Sequence, residues 1–254
     1  MLDFLKVRRR QPEMMDDAQA DPTSLRASLA YIRRINRLLG YSRLIIRQLN
    51  RFSARWNPGQ TIRILDVGTG SADIPLAILR WAKRRQLDVR VVGLDLHATI
   101  VEEAREAGIH EPRLQIVRGD ALRLPFADNS FDYAITSMFL HHLDETDVVQ
   151  TLREMSRVAS RGIVASDLLR LKRSYAFIWL ATLLSHPMVK HDARVSIAQA
   201  FSRGEVTDLR RRAGLEFTEY RTHLFHRFVL AGEKGRSNRA SERMNRRSTP
   251  MNAD

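Results

Sequence analysis

The sequence has no cysteine. That absence excludes disulfide frameworks, thiolate zinc sites and cysteine nucleophiles together. It fits a reducing compartment, and a cytoplasmic location is expected. Long apolar runs are also missing: the longest, from Tyr175 to Leu184, is about half of the roughly 20 residues that a bilayer crossing needs. The opening MLDFLKVRRR puts its charges after a short apolar stretch, the reverse of a secretory signal, so export is not expected. Acids are absent from one whole stretch, Pro22 to Arg55, which holds eight arginines.

Of the 254 residues, 44% are hydrophobic and 28% charged, enough apolar material for a full core and too much for wholesale disorder. The length suits one large domain with appendages. Lysine and arginine total 42 against 29 acids, a net charge of +13. Nucleic acid, anionic lipid and simple arginine bias all predict such a total, so charge does not choose a partner.

Residues 1–21 show no clear period and read as a mobile arm or a docked cap. Leu25, Leu29, Ile32, Ile35, Leu38 and Leu39 then recur at helical spacing, and Leu44, Ile45, Leu49 and Phe52 resume it beyond Gly40. Arg43, Arg47, Arg51 and Arg55 fall on another face. This amphipathic pair either packs on the domain with its arginines in solvent or meets a membrane surface or another anionic partner.

From residue 61, strand-like runs alternate with helical ones, the signature of an α/β domain with a largely parallel sheet. Strands are expected at 62–67, 89–94, 114–117, 131–136 and 162–166, and helices at 72–85, 98–107, 144–158 and 205–213. A terminal antiparallel pair is expected at 215–220 and 225–231. The chain thus divides into an extension over 1–58, a domain over 59–232 and a basic, disordered tail over 233–254. No internal repeat is visible.

The segment Asp66-Val67-Gly68-Thr69-Gly70-Ser71-Ala72-Asp73 ends a buried strand and opens a helix. Glycine at 68 and 70 lets the backbone bend sharply and approach a ligand. Either a dinucleotide or a smaller adenosyl cofactor would suit such a turn. Asp73, where the dinucleotide pattern wants a small residue, disfavours a pyrophosphate; it is far less hostile to a sulfonium and an ammonium. Asp95 ends the second strand, where a carboxylate can accept from both ribose hydroxyls. Asp120 lies just beyond the third strand, placed to accept from an adenine amino group, with Phe126 or Leu122 over the ring.

The D-x-G-x-G turn, Asp95, Gly119-Asp120-Ala121-Leu122-Arg123-Leu124-Pro125-Phe126 and the run from Phe131 to Leu143 stand in an order that resembles the class I S-adenosylmethionine-dependent methyltransferases. The likeness is to the small-molecule branch with ubiquinone- and menaquinone-biosynthesis-type enzymes, and it is strong over 61–167. It implies a Rossmann-like doubly wound sheet of about seven strands, mostly parallel with an antiparallel C-terminal strand, an N-terminal helical extension and an inserted acceptor lid. It implies S-adenosyl-L-methionine as cofactor, held by Asp66, Gly68, Thr69 and Gly70 on the methionine side and by Asp95 and Leu96 at the ribose. Asp120 and Ala121 would hold the adenine edge, with Ser137 and Met138 beneath the sulfonium. Asp66 could equally be an acceptor for loop N–H groups, and Met138 plain core.

Methyl transfer from a sulfonium is an in-line displacement in which the enzyme positions the acceptor and excludes water. A phenolic or hydroxyl acceptor must also lose a proton, for which histidine is the natural base near neutral pH. His141 and His142 follow the fourth strand, and His141 is favoured as the one facing the site. The apolar stretch over 174–184, followed by a polar, turn-prone segment, would form the lid at about 168–203. Met138, His142, Trp179, His186, Asp192 and Arg194 would then line the pocket of a hydrophobic or aromatic acceptor, with His191 on its rim as a second candidate base. Core packing explains the apolar helix equally well, and Asp192 could instead simply pair with Arg194.

This lid, the segment from Pro12 to Asp16 and Ser166-Asp167-Leu168 are also similar to methyltransferases that accompany type III polyketide synthases and flavin oxidoreductases. Asparagine often precedes the aspartate there; Ser166 stands in its place. A nucleic-acid methyltransferase is disfavoured, because Ser137-Met138-Phe139-Leu140 lacks the proline pair of base-amine enzymes and no RNA-binding module is visible. Two further readings share the fold: a non-catalytic subunit and an oxidoreductase. No metal site is expected, and the oligomeric state is not legible.

Overall fold

A computed structural model describes residues 5, 7–9, 11, 33, 40–182, 187–223 and 226–235. The helical expectation over 24–39, the segment 12–16, His186 and most of the C-terminal tail lie outside the described residues. The elements are α1 (Tyr41–Ser53), β1 (Ile62–Val67), α2 (Asp73–Arg84), β2 (Val89–Asp95), α3 (Ala98–Ala107), β3 (Leu114–Arg118), β4 (Phe131–Ser137), a 3-10 turn (Leu140–His142), α4 (Glu145–Val158), β5 (Ala159–Leu168), α5 (Lys172–Ala181), α6 (Pro187–Gln199), α7 (Arg203–Arg212), β6 (Glu219–His223) and β7 (Arg227–Glu233).

The strands form one sheet in the order β3-β2-β1-β4-β5-β7-β6. Strands β1 to β5 are parallel, and β7 enters antiparallel between β5 and β6. Two-residue alternation sends the side chains of β1 to both faces, as a sheet covered on both sides requires. Ile62 and Ile64 meet Leu44, Ile45, Leu49 and Phe52 of α1 and Ile78 of α2. Leu65 and Val67 meet the cluster containing Leu152, Met155 and Val158 of α4 and Leu209 of α7. Arg43, Arg47 and Arg51 are exposed on α1, so the packing half of the sequence expectation describes how this helix sits.

Two strand boundaries differ from expectation for identifiable reasons. Strand β5 begins at Ala159, directly after α4, and Ala159 pairs with Phe131. At the C-terminal end, β6 begins at Glu219 rather than at Leu215. Gly214, at φ +73°, turns the chain out of α7, and the N–H groups of Gly214 and Leu215 donate to the carbonyls of Arg211 and Arg210. Leu215 is fully buried beyond that helix end, where an apolar residue closes the cap. Its hydrophobicity serves the helix end, not a strand.

Helices α5 and α6 lie between β5 and α7 and cover the end of β5. Leu5, Leu168, Ile178, Ile197 and Ala200 bury one another there. The described N-terminal residues are docked on this layer: the Arg9 N–H donates to the Ala198 carbonyl at 3.2 Å. Arg8 donates to the carbonyls of Gln199 (2.5 Å), His141 (2.9 Å) and Leu143 (2.5 Å).

Arg170, just past β5, ties these pieces together from a buried position. Its guanidinium donates to the Leu5 carbonyl at 3.1 Å, the Ala200 carbonyl at 2.7 Å and Glu205 Oε1 at 2.7 Å. Glu205 also closes the capping box with Ser202 that starts α7. Removing the cation leaves two carbonyls and a carboxylate short of donors, and charged hydrogen bonds of this kind contribute about 1.5–3 kcal/mol each. Arg170→Met is therefore expected to lower unfolding free energy by roughly 3 kcal/mol in urea titration. A loss under roughly 1 kcal/mol would show that the arm and α7 do not depend on this residue.

Candidate functional site

The carboxyl ends of β1, β2, β3 and β4 lie side by side, and the ligand crevice of an open α/β sheet forms at that edge. The Gly68–Gly70 turn is lashed to β2 by its own backbone. The N–H groups of Gly68 and Thr69 donate to the Leu94 carbonyl at 2.9 and 3.0 Å. The Gly70 N–H donates to Asp95 Oδ2 at 3.0 Å, and the His97 N–H to Asp95 Oδ1 at 3.2 Å. Thr69 can come this close because β2 carries Gly93; a Cβ there would lie 2.6 Å from the Thr69 hydroxyl.

The two turn glycines do different work. Both have left-handed backbone, φ +69° and +53°. A Cβ on Gly68 would strike the Phe139 ring at 2.4 Å, so the space beside it belongs to Phe139. A Cβ on Gly70 would meet nothing within 4 Å. The opening in the turn therefore lies at Gly70, beside Asp95.

Asp66 is buried at the foot of this turn and accepts from the Thr69 hydroxyl at 2.8 Å. Burial pushes its carboxyl up to about 8, against the stabilising hydrogen bond of Thr69, with the charges of Asp73 and Asp95 adding to the rise. Burial likewise raises Asp95, opposed by the N–H groups of Gly70 and His97. Leu96 is exposed beside it. Asp120, also exposed, follows β3, and its Oδ1 accepts from the Leu122 N–H at 2.9 Å. Ala121 is buried in the large core cluster, with Phe126 packed against it.

The loop holding Asp120 and Phe126 is fixed from α4 by Arg157. That guanidinium donates to the Phe126 carbonyl at 2.8 Å, the Leu124 carbonyl at 3.1 Å and Asp128 at 2.8 Å. Its partner Glu154 accepts from the Leu124 N–H at 2.8 Å.

At the end of β4, Ser137 is buried and Met138 is held at φ +59°, a conformation that non-glycine residues adopt only under constraint. The Met138 N–H donates to the Ser166 carbonyl at 3.0 Å, and its side chain joins the apolar layer beneath α5 and α6. His141 is buried, with Nδ1 2.7 Å from Asp167 Oδ1, and its own N–H donates to Asp167 Oδ2 at 3.0 Å. Burial would raise the Asp167 carboxyl, but the charge and hydrogen bonds of His141, with help from Arg227, hold it below its ordinary value. The ionised Asp167 thereby fixes a proton on Nδ1 and makes Nε2 the basic nitrogen of His141. The His142 ring lies 4.3 Å from that of His141, centroid to centroid.

The remaining acceptor-side residues are spread over α5 and α6. His191 and Arg194 line a cleft of about 460 Å³ with Arg9, Gln11, Tyr175 and Lys190. Asp192 is buried while neighbouring His191 is exposed, so these two side chains leave α6 in different directions. Trp179 is 45% exposed on α5, whose buried side carries Ser174 and Ile178. Sequence reasoning passed over Asp167 and Arg227 as site residues. The signal was a charged residue inside an otherwise apolar strand, Gly162-Ile163-Val164-Ala165-Ser166-Asp167 in one case and Arg227-Phe228-Val229-Leu230 in the other.

Residues 64–162 match the family described as methyltransferase domain. Among curated proteins, the demethylmenaquinone methyltransferase of Roseiflexus sp. is 38% identical over 106 residues, 42% of this chain and 42% of that protein. The matched stretch thus spans about two fifths of the length of that relative. Among solved structures, a S-adenosyl-L-methionine-dependent methyltransferase of Methanococcus maripaludis, described as putative, superposes with TM-score 0.61 at 18% identity, covering 89% of this chain and 96% of that one. One from Aquifex aeolicus superposes with TM-score 0.58 at 17% identity, covering 85% and 99%. At such identities the superpositions speak for the fold, and the 64–162 match for the kind of domain it carries. Residues 64–162 thus resemble a methyltransferase domain, and the mostly parallel seven-stranded sheet around them has the fold of the solved methyltransferases.

Proposed function

We propose that this protein transfers a methyl group from S-adenosyl-L-methionine to a hydrophobic, quinone- or phenol-type small molecule. The observation that carries the reading is the bond from the Gly70 N–H to Asp95 Oδ2 at 3.0 Å, which joins the glycine turn and the second-strand acid in one hollow. Asp73 and Asp95 are close enough there to add to the rise in the proton affinity of Asp66. An acid-rich hollow suits a ligand with an ammonium and a sulfonium and repels a pyrophosphate. The relatives' name supports a quinone-like acceptor.

When bound, the cofactor supplies a methyl group on a good leaving group. Asp95 is placed to accept from the ribose hydroxyls, Asp120 from the adenine amine, and Asp66 to face the cationic methionine end. Ser137 and Met138 border the reacting side. His141, oriented by Asp167, takes the proton of a hydroxyl acceptor. The layer formed by α5, α6 and the docked N-terminal residues excludes water and presents apolar surface beside the cleft that holds His191 and Arg194.

In calorimetric titration the protein is expected to bind S-adenosyl-L-methionine and not NAD, with Asp95→Asn weakening binding at least about tenfold. Because Asp66 is protonated below about 8 and a cationic ligand favours its ionised form, binding releases a proton. Affinity should then rise with pH up to that value and level off above it. Asp66→Asn should flatten that dependence. The same variant should also be more stable than wild type at pH 8, where the folded protein carries the cost of the buried charge. Binding of NAD alone, or a pH-independent affinity, contradicts the assignment.

With radiolabelled methyl donor and a panel of demethylated quinols and phenols, product is expected for at least one acceptor. His141→Gln should lower its kcat by about two orders of magnitude while leaving cofactor affinity unchanged. Equal turnover in the variant would remove the histidine from the chemistry.

The exposed Arg43, Arg47 and Arg51 support a working place beside an anionic membrane, where such acceptors dissolve. No helix among the described residues is long and apolar enough to cross one. At low salt, co-sedimentation with phosphatidylglycerol vesicles and not with phosphatidylcholine is expected; equal recovery from both would refute surface charge as the anchor.

A further inference from the structure

Arg227 opens β7 and is fully buried. Because β7 runs antiparallel, its first residue lies at the carboxyl ends of β4 and β5, beside Leu168 in register. This is the reacting edge of the sheet. The guanidinium reaches Ser137 with one bond, Nη2 to the hydroxyl at 3.3 Å, and its carbon lies 3.9 Å above the Tyr41 ring. Nε and Nη1, three N–H groups between them, have no hydrogen-bond partner among the described residues. The buried Ser166 hydroxyl, two positions from Leu168 on β5, is also unpartnered.

A guanidinium almost never sits fully buried without acceptors, because losing its hydration costs several kcal/mol (on the order of 1–3 per unmade bond). Tyr41 and the Asp167 carboxylate lower its electrostatic cost, but the Asp167 oxygens are engaged by His141. Core packing does not explain the residue, since methionine would fill the space without the penalty. The first turn of α1 adds to the positive potential: Tyr41 begins that helix, its N-cap is Gly40 with no side-chain cap, and no acid lies in the first turn.

We infer that Arg227 is a specificity-determining anion site, and that its ligand is a carboxylate carried by the methyl acceptor. A carboxylate offers two oxygens to adjacent guanidinium donors, and the site holds no other cation-compensating oxygen for Nε and Nη1 among the described residues. The unpartnered Ser166 hydroxyl adds a further donor. Bound there, the acid lies on the far side of Ser137 from the glycine turn, with the aromatic or apolar body of the acceptor between Arg227 and the cofactor hollow. The inference rests on the methyltransferase reading above and sharpens it to acceptors that carry an acid group.

The test uses the full-length protein saturated with S-adenosylhomocysteine, titrated by calorimetry with 2-hydroxybenzoate and with its methyl ester. The acid is expected to bind at least about tenfold more tightly than the ester, the discrimination given by one charged hydrogen-bonded contact. Arg227→Met should erase that preference while weakening S-adenosylhomocysteine far less, since toward the cofactor Arg227 acts only through one long bond to Ser137. Arg227→Lys, which keeps the charge and loses the fork, should retain part of it and guards against a folding failure of the methionine variant. Equal affinity for acid and ester in the wild type, binding of neither, or a preference that survives both substitutions overturns the inference. Failure to bind S-adenosylhomocysteine would instead count against the cofactor reading, so the two outcomes separate.

Discussion

The site depends on one short piece of backbone. The Gly68–Gly70 turn can exist only because two glycines accept left-handed φ and a third, Gly93, leaves room for Thr69. Its N–H groups are then satisfied by the Leu94 carbonyl and the Asp95 carboxylate, so the turn is fixed to the neighbouring strand rather than left as a loop. Asp66 and Asp95 are tied to that turn directly, by the Thr69 hydroxyl and the Gly70 N–H. A single Cβ at Gly68 would have to displace Phe139 as well as strain the backbone, so loop geometry and the packing below β4 are one constraint.

The acids of the site are costly where they stand. Asp66 is buried and is raised to about 8, a cost in stability that nothing in the fold requires. Asp167 is just as buried but is compensated by His141 and, at longer range, by Arg227. The contrast separates the two ends of the sheet edge. On the β1–β2 side burial raises the Asp66 carboxyl; on the β5–β7 side the buried cost falls on the Arg227 guanidinium, offset in part by Tyr41 and Asp167.

The layer above the edge is held by arginines rather than by apolar contact alone. Arg8 and Arg170 each donate to several carbonyls that helix ends leave without partners, joining the N-terminal residues, β5, α6 and α7. Part of the large arginine excess is therefore structural. Another part, Arg43, Arg47 and Arg51, faces solvent and is open to a surface of opposite charge. Net charge mixes these populations, which is why it could not identify a partner.

The parallel core and the glycine turn were legible in the sequence because both are local. Apolar runs such as 62–67 and 89–94 bury both faces of a strand, and the Gly-x-Gly turn needs residues that only a left-handed backbone demands. The strand positions at 215–220 were not legible, since an apolar residue does not say whether it closes a helix or pairs in a sheet. Nor was the pairing of His141 with Asp167, from the turn after β4 and from β5, or the arrival of the Arg227 charge near them on an antiparallel strand inserted beside β5. Sequence spacing fixes what lies along one strand or one helix turn; which charges share a buried space is decided by strand order, and strand order is a property of the folded sheet.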